Sequence, residues 1–430
     1  MKLFDRPTLL VFIVAAFSII LWVMDEGQFT TANIPTYIGA IAGILAITLM
    51  SFEFISSTRL KIFEKFSGGL DVVYRFHSYI GKLGAMIILA HPTLLMLQKF
   101  AGIDTIKRYF LPGSIEFFSW GIYAFWLLLL LVILTLFVKM SYRWWKFTHL
   151  LMVVVYLFAS YHVFLDYTNS QRSPGISFRE GWMLTIILIG IISLLYKELV
   201  YPFLAKKFKV VKVNPIGLVT EVYMEPEKGK LNFIPGQYIF MSVMDSKELP
   251  NEAHPFGITS SVNDNNIRVS IKALGDYTKR AGLIKPGNTV HIWGPHGDFN
   301  WDSVSKYKKQ VWIAGGIGVA PFLSMLKYAI ETKSEKEISL FYVEKNESEC
   351  EYNTELDELT KGSKVKLYHH YDVRDGFITA KYIEKKVGSL NDAAIMICGP
   401  VGMAKALLKQ FRGMGLKEDQ IREEGFGMRL

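Results

Sequence analysis

Six apolar runs, each near the length that crosses a bilayer, fill the first half of the chain at about residues 8–24, 35–55, 73–98, 117–139, 144–166 and 181–201. Hydrocarbon about 30 Å thick requires ~20 consecutive, mostly apolar residues in a helix, because lipid offers no partner for backbone groups. The runs therefore predict a bundle of six membrane helices. The chain is 51% hydrophobic, and most of that excess lies in this half; the remainder reads as soluble sequence. The first run follows Lys2 and Arg6 as a signal peptide would. Trp22-Val-Met-Asp-Glu26 offers no small-residue cleavage site, so the run is expected to stay as a helix.

An even number of spans returns the chain to the side it left. Arg59, Lys61 and Lys65 follow the second span, Lys139, Arg143 and Lys146 the fourth, and Lys206, Lys207 and Lys209 the sixth. Basic loops mark the cytoplasmic face. Asp25, Glu26 and Asp166 lie on the other face, against which Lys99, Lys107 and Arg108 are exceptions. An integral protein of the plasma (cytoplasmic) membrane, in contact with lipid and with its soluble half in the cytoplasm, is the expectation. The formal charge of +9 belongs to this topology: no Lys/Arg stripe with interleaved aromatics is present, so nucleic acid is not an expected partner. Two cysteines, Cys350 and Cys398, exclude a disulfide framework and a Cys-ligated iron–sulfur cluster.

Four of the nine histidines lie in the spans: His77 and His91 in the third, His149 and His162 in the fifth. Ionisable residues at membrane depth are costly and mark function, and neutral imidazole is a haem-iron ligand. One such histidine is as readily a hydrogen-bonding partner for a neighbouring helix. Four on two helices are not easily explained that way, and a zinc or copper site would gather its ligands at one depth. The third and fifth spans run in the same direction, so His77 is expected opposite His149 and His91 opposite His162, each pair gripping one haem b. Fourteen residues give about 21 Å of rise and return within about 40° of the same helix face. The 13-residue spacing in the fifth span falls about 140° away, which predicts a local distortion there or a different approach angle to each haem. Gly81 and Gly84 are expected to leave room for a flat macrocycle between His77 and His91.

From Lys209 the pattern changes. Short β-branched runs at 209–213, 218–224, 238–243, 267–273 and 289–293, with Pro235-Gly236 and Pro286-Gly287 as turns, predict a small antiparallel barrel. After about Lys306, strand 310–314, turn Gly315-Gly-Ile-Gly-Val-Ala-Pro321, helix 322–331 and strand 339–343 predict an α/β nucleotide-binding domain. Gly315, Gly316 and Gly318 would let the backbone approach a pyrophosphate, with Pro321 in the first turn of the helix that faces the anion. The expected organisation is 1–206 membrane domain, 207–306 barrel and 307–430 nucleotide-binding domain.

The segments Phe233-Ile-Pro-Gly-Gln-Tyr238, His254-Pro-Phe-Gly-Ile-Thr-Ser260, Gly275-Asp-Tyr-Thr278, Gly294-Pro-His-Gly297, the 315–321 turn and Cys398-Gly-Pro400 resemble the ferredoxin-reductase-type dehydrogenase module. Joined to six spans and four histidines, the whole chain resembles the NADPH oxidase and ferric reductase superfamily, in particular its compact bacterial members. The resemblance implies FAD bound by His254, Pro255 and Phe256, with Phe256 stacking on the flavin. Lys272 and Gly275 to Thr278, including Tyr277, would meet the FAD pyrophosphate, with His296 and Gly297 close by. The 315–321 loop would take the NAD(P)H pyrophosphate, and Cys398, Gly399 and Pro400 would sit near the nicotinamide. Phe426 would cover the flavin until nicotinamide displaces it, which makes Cys398 and Phe426 the residues implied in hydride transfer. Gly257 stands where the family often has a hydroxyl beside flavin N5, which leaves Thr259 or Ser260 to supply it. Lys345, between Glu344 and Glu347, stands where the family often has an arginine for the 2′-phosphate, so NADH and NADPH both stay open.

Hydride carries two electrons and haem iron accepts one, so a flavin must lie between them. The implied activity is electron transfer from NAD(P)H through FAD and two haems to an external acceptor: dioxygen, giving superoxide, or a ferric chelate. Donation to a separate periplasmic protein is an alternative, although no obligatory protein subunit is expected. A non-catalytic haem-binding membrane sensor is an alternative of another class.

Overall fold

The structure, a computed structural model of the chain, describes residues 5–26, 30–97, 103–113, 115–169 and 177–425. It divides into two units, one made of Met1–Ser67 with Val72–Pro202 and the other of Gly68–Asp71 with Phe203–Leu430.

The first unit holds six helical spans: Arg6–Glu26, Ile34–Ser57, Leu70–Met96, Glu116–Phe137, a fifth made of Tyr142–Leu150 and Met152–Asn169, and a sixth begun by Phe178–Leu195. The sixth starts earlier than the apolar run because Ser177 caps it. Its hydroxyl accepts from the Glu180 amide at 3.3 Å while the Glu180 carboxylate accepts from the Ser177 amide at 2.8 Å. Several polar side chains inside the spans find their partners within protein. Thr48 and Ser51 donate to carbonyls one turn back, at 2.8 and 2.9 Å. Tyr156 Oη lies 2.8 Å from Ser51 Oγ and 3.0 Å from the Ile187 carbonyl oxygen, contacts that link the second, fifth and sixth spans and share its one hydroxyl hydrogen. The indole of Trp182 donates to Ser18 at 2.9 Å, joining the sixth to the first.

The fifth span is interrupted at Leu151, whose amide bonds the Thr148 carbonyl at 3.1 Å, while Val154 bonds Leu151 at 2.9 Å. These are three-residue steps. Each residue in such a turn advances by ~20° more than in an α-helix, so the break between His149 and His162 recovers part of the angular mismatch of a 13-residue spacing.

The second unit opens with an antiparallel six-stranded sheet of β1 (Lys206–Ile216), β2 (Val219–Pro226), β3 (Tyr238–Val243), β4 (His254–Gly257), β5 (Ile267–Lys272) and β6 (Thr289–His296), in the order β4-β3-β6-β1-β2-β5. A bridge between Ile258 and Val269 ties the two edges together, and Phe208, Val222, Ile239, Val269 and Ile292 fill the interior. Five strands were expected; β4 is the sixth. Its His-Pro-Phe-Gly sequence has no alternation and Pro255 has no amide to donate, which suits only an edge strand.

The remaining strands, β7 (Lys309–Gly315), β8 (Glu337–Glu344), β9 (Lys366–Tyr371), β10 (Ala393–Cys398) and β11 (Ile421–Glu424), form a wholly parallel sheet in the order β11-β10-β7-β8-β9. Both faces are covered. Trp312 and Ala314 pack on one side with Phe322 and Tyr342, and Val311 and Ile313 on the other with Phe341 and Phe411. Period-two alternation into two apolar layers explains why β7 reads as a continuous hydrophobic run.

Barrel and parallel sheet are clamped through Arg268, 6% exposed on β5. Its guanidinium reaches Glu221 at 2.9 Å and takes Glu355 in a fork at 3.0 and 2.7 Å. Lys327 bonds Glu355 at 3.0 Å. The two carboxylates lie on different layers, so this cluster joins the faces by charge where the apolar layers end.

Candidate cofactor sites

At one level of the membrane unit, the rings of His77 and His149 are 6.1 Å apart, centroid to centroid, with planes inclined at 75°. Two metal–nitrogen bonds of about 2 Å plus the half-width of each ring put the centroids of an axial pair roughly 6 Å apart. Trp145 stacks on His149 at 5.0 Å and 11°, one turn back on the same helix, and so orients that ring. The Nδ1 atom of His77 is 2.6 Å from Oε2 of Glu53 and 2.8 Å from Oγ of Ser56, both on the second span.

At the other level, His91 and His162 line a single cavity of about 220 Å³. The Nδ1 of His91 donates to the Gly39 carbonyl at 2.7 Å, because a carbonyl can only accept; Nε2 therefore keeps its lone pair for a metal. Two glycines make room for the rings. A Cβ on Gly43 would lie 2.9 Å from Cε1 of His91, and one on Gly121 would lie 3.1 Å from Cε1 of His162. The rest of the wall is mostly apolar, with Ile47, Ile88, Phe125 and Val155, and carries two charged residues, Asp166 and Arg179. Arg179, 8% exposed, is anchored to Asp25 at 3.0 Å. A flat apolar macrocycle with acidic side groups matches an apolar slot that ends in a guanidinium.

Among the described residues no three His, Cys, Asp or Glu side chains gather into a metal cage. Two imidazoles on opposite sides of a gap suit an ion whose other ligands come from its own macrocycle, so these residues fit haem better than a free ion.

Gly81 and Gly84 do not face the gap between the histidines. A Cβ on Gly81 would meet Glu53 at 3.4 Å and one on Gly84 would meet Leu49 at 3.6 Å, so both serve packing against the second span. The glycines beside the rings are on the second and fourth spans, which carry no histidine. Helix azimuth decides this, and no local pattern reveals it.

In the barrel, the His254 ring lies 4.0 Å from that of Tyr277 and 6.5 Å from that of Phe256, so β4 and the turn after β5 converge. Burial pushes the Tyr277 hydroxyl up to about 12. Pro255 pairs with Phe240 of β3, and His296 of β6 packs 5.6 Å from the Phe240 ring. Gly297, at φ +104°, lies against Tyr238. Thr278 accepts from the Gly275 amide at 2.8 Å and closes that turn. The two candidate hydroxyls differ. Thr259 receives the Arg268 Nε–H at 2.9 Å and donates to the Arg268 carbonyl at 3.2 Å, whereas the buried Ser260 hydroxyl has no partner among the described residues. The Ser260 carbonyl accepts from the Ser324 hydroxyl at 2.8 Å, and a buried hydroxyl left over at that position fits a hydrogen-bonding group of a bound cofactor.

Lys272 is drawn away from the Gly275–Thr278 turn. Its ammonium pairs with Glu344 at 3.4 Å and Glu351 at 3.6 Å and lies 3.8 Å from where a Cβ of Gly316 would stand. It thus borders the glycine-rich segment. Burial raises the Glu344 carboxyl, and Lys272 pulls it back. Lys345 is exposed just past β8.

That segment is not an open turn. Gly316–Val319 form a 3₁₀ helix that runs into the helix Ala320–Glu331, with Pro321 in its first turn. The glycines have separate reasons. A Cβ on Gly318 would stand 2.2 Å from the Cys398 carbonyl oxygen, and one on Gly315 would stand 2.7 Å from Pro400, so both admit the neighbouring chain after β10. Gly316 has φ +57°, the left-handed region. Parallel pairing of β7 with β10 thereby brings the 315–321 segment against Cys398, Gly399 and Pro400. Cys398 is fully buried, and burial pushes its thiol well above the ordinary value, with Glu424 and Glu423 adding to it. Phe426 lies outside the described residues.

Three family descriptions match the chain in succession: "Ferric reductase like transmembrane component" over residues 42–160, "FAD-binding domain" over 203–284 and "Oxidoreductase NAD-binding domain" over 312–409. Flavohemoprotein A of Dictyostelium discoideum is 28% identical over 234 residues, 50% of this chain and 58% of that protein. A flavohemoprotein of Rhodopirellula baltica is 29% identical over 241 residues, 50% of this chain and 59% of that protein. The chain thus spans little more than half the length of these relatives. The crystal structure of a flavohemoglobin from Malassezia yamatoensis with bound FAD and heme aligns at a TM-score of 0.52 and 18% identity, over 93% of this chain and 99% of that one; the likeness is one of fold.

Proposed function

This chain has the domain architecture of the NADPH oxidase and ferric reductase superfamily, and from that premise we propose that it is an NAD(P)H-dependent oxidoreductase that carries electrons across a membrane. The observation that carries the reading is the arrangement of His77 with His149 and His91 with His162 at two levels of one bundle. Those four side chains would hold two haems. FAD would lie against the His254–Tyr277 shelf and NAD(P)H against the 315–321 segment. When bound, FAD turns a hydride into single electrons and the haem irons carry them one at a time across about 30 Å of hydrocarbon.

The chain's own residues have distinct tasks in this reading. Gly39 fixes the His91 tautomer, Trp145 orients His149, and Gly43 and Gly121 clear the space beside the rings. Ser260 offers a buried hydroxyl to the flavin, while Gly316 lets the backbone face the dinucleotide. The basic loops support a cytoplasmic soluble unit, and with that orientation electrons would move outward.

Dioxygen, reduced to superoxide, is the acceptor we propose. The transmembrane family description favours a ferric chelate as the second reading. An absorption spectrum of the purified protein before and after NADH or NADPH, in air and under argon, tests the whole: low-spin haem bands that reduce under argon and reoxidise in air are expected. Colourless protein, or haem that stays oxidised with either nucleotide, overturns it. Cytochrome c reduction sensitive to superoxide dismutase, set against anaerobic colour with a ferrous chelator, separates the two acceptors.

A further inference from the structure

Glu53 lies on the second membrane span, about one turn before its end at Ser57 and with its side chain 17% exposed, where a carboxylate is costly and calls for a reason. Its Oε2 is 2.6 Å from His77 Nδ1, and its buried Oε1 has no hydrogen-bond partner among the described residues. Ser56, 1% exposed and nearly one turn further on, donates its hydroxyl hydrogen to the Glu53 carbonyl at 2.8 Å. The same oxygen lies 2.8 Å from His77 Nδ1. A hydroxyl that has spent its hydrogen can only accept. With a metal on Nε2, Nδ1 must carry the proton, and both atoms around it are then acceptors, one of them an anion. His91 is supported differently, by the neutral carbonyl of Gly39.

A carboxylate that takes the Nδ1–H of a ligating histidine makes the other nitrogen a stronger donor, and its charge favours the more positive state of a nearby metal. We propose that Glu53 is a positioning residue that lowers the redox potential of the His77–His149 haem below the value the same two imidazoles give with a neutral partner. The proposal rests on reading the four histidines as haem ligands, and it deepens that reading by giving the two haem sites different electronic settings.

The test is a spectroelectrochemical titration of the purified, haem-loaded full-length chain beside E53Q and S56A, with haem counted per polypeptide. In E53Q, two haems with low-spin spectra are expected, with one midpoint potential raised and the other unchanged. In S56A, which leaves the carboxylate as the sole acceptor, that same potential is expected to fall. E53Q with two haems and both potentials unmoved, or both moved alike, overturns the proposal. If E53Q fails to fold, S56A decides alone: a potential that stays or rises sinks it. Wild-type protein without haem would defeat the functional reading itself, an outcome that the haem count separates from failure of this inference.

Discussion

The imidazoles of His77 and His149 come from different helices yet stand 6.1 Å apart, centroid to centroid, as the proposed haem pair. H77L or H149L is therefore expected to halve the haem content, from two per chain to one, while H91L or H162L removes the other. Pyridine haemochrome assay against protein concentration checks this. Single variants that keep both haems would show that the pairs are not what holds them.

Gly121 stands against the His162 ring, where an added Cβ would be 3.1 Å from both Cε1 and Nδ1. A methyl at that distance requires the ring to give by a few tenths of an ångström, and two further carbons cannot be accommodated. G121A is expected to keep two haems with a shifted spectrum, and G121V to keep one. The same assay, read with the oxidised and reduced spectra, distinguishes the two.

Ser260 and Thr259 are adjacent and fully buried, but only the Thr259 hydroxyl is engaged by Arg268. S260A is expected to slow NAD(P)H-driven flavin reduction roughly tenfold, about the value of one hydrogen bond, with little change in melting temperature. T259A is expected to do the reverse, lowering the melting temperature and leaving flavin reduction near normal. Stopped-flow flavin absorbance and thermal unfolding in detergent measure the pair.

Burial pushes the Glu355 carboxyl up, but hydrogen bonds and charge from Arg268, with Lys327 behind, hold it below the ordinary value of 4.5. A carboxyl lowered in the folded state contributes stability that is complete above its unfolded value and is lost as pH falls through the folded one. The melting temperature of the wild type should thus fall more steeply below about pH 4.5 than that of E355Q, and the two should converge in acid. R268M leaves Glu221, 1% exposed, with an uncompensated charge, and is expected to cost about 3–5 kcal/mol at neutral pH. Parallel melting curves for wild type and E355Q across this range would show that Glu355 is not coupled to folding.

What could be read from the chain alone is what depends on neighbours in sequence. Apolar length marked the six spans, alternation marked five of the six antiparallel strands, and the glycine-rich stretch before Pro321 marked the nucleotide-binding half. The four histidines stood out because imidazole inside a hydrocarbon run needs a reason wherever it packs. The 13-residue spacing in the fifth span left a local distortion and a different approach angle both open, and the structure has a break at Leu151. The edge strand His254–Gly257 was not legible, because its sequence lacks alternation and its place depends on β3.

Only the tertiary structure decided which groups meet. Glu53 and Ser56 reach His77 across 24 and 21 positions of sequence, Gly43 and Gly121 serve rings on other helices, and Lys272 turns to Glu344 on another sheet. Gly81 has the spacing of a haem-facing residue and packs against Glu53 instead. Periodicity sets which face of an element is apolar, but the rotation of one helix against the next and the register of one strand beside another arise from packing of the whole. Hydrogen bonds and van der Waals contacts act over a few ångströms, so a shift of one residue in either replaces every partner in the site.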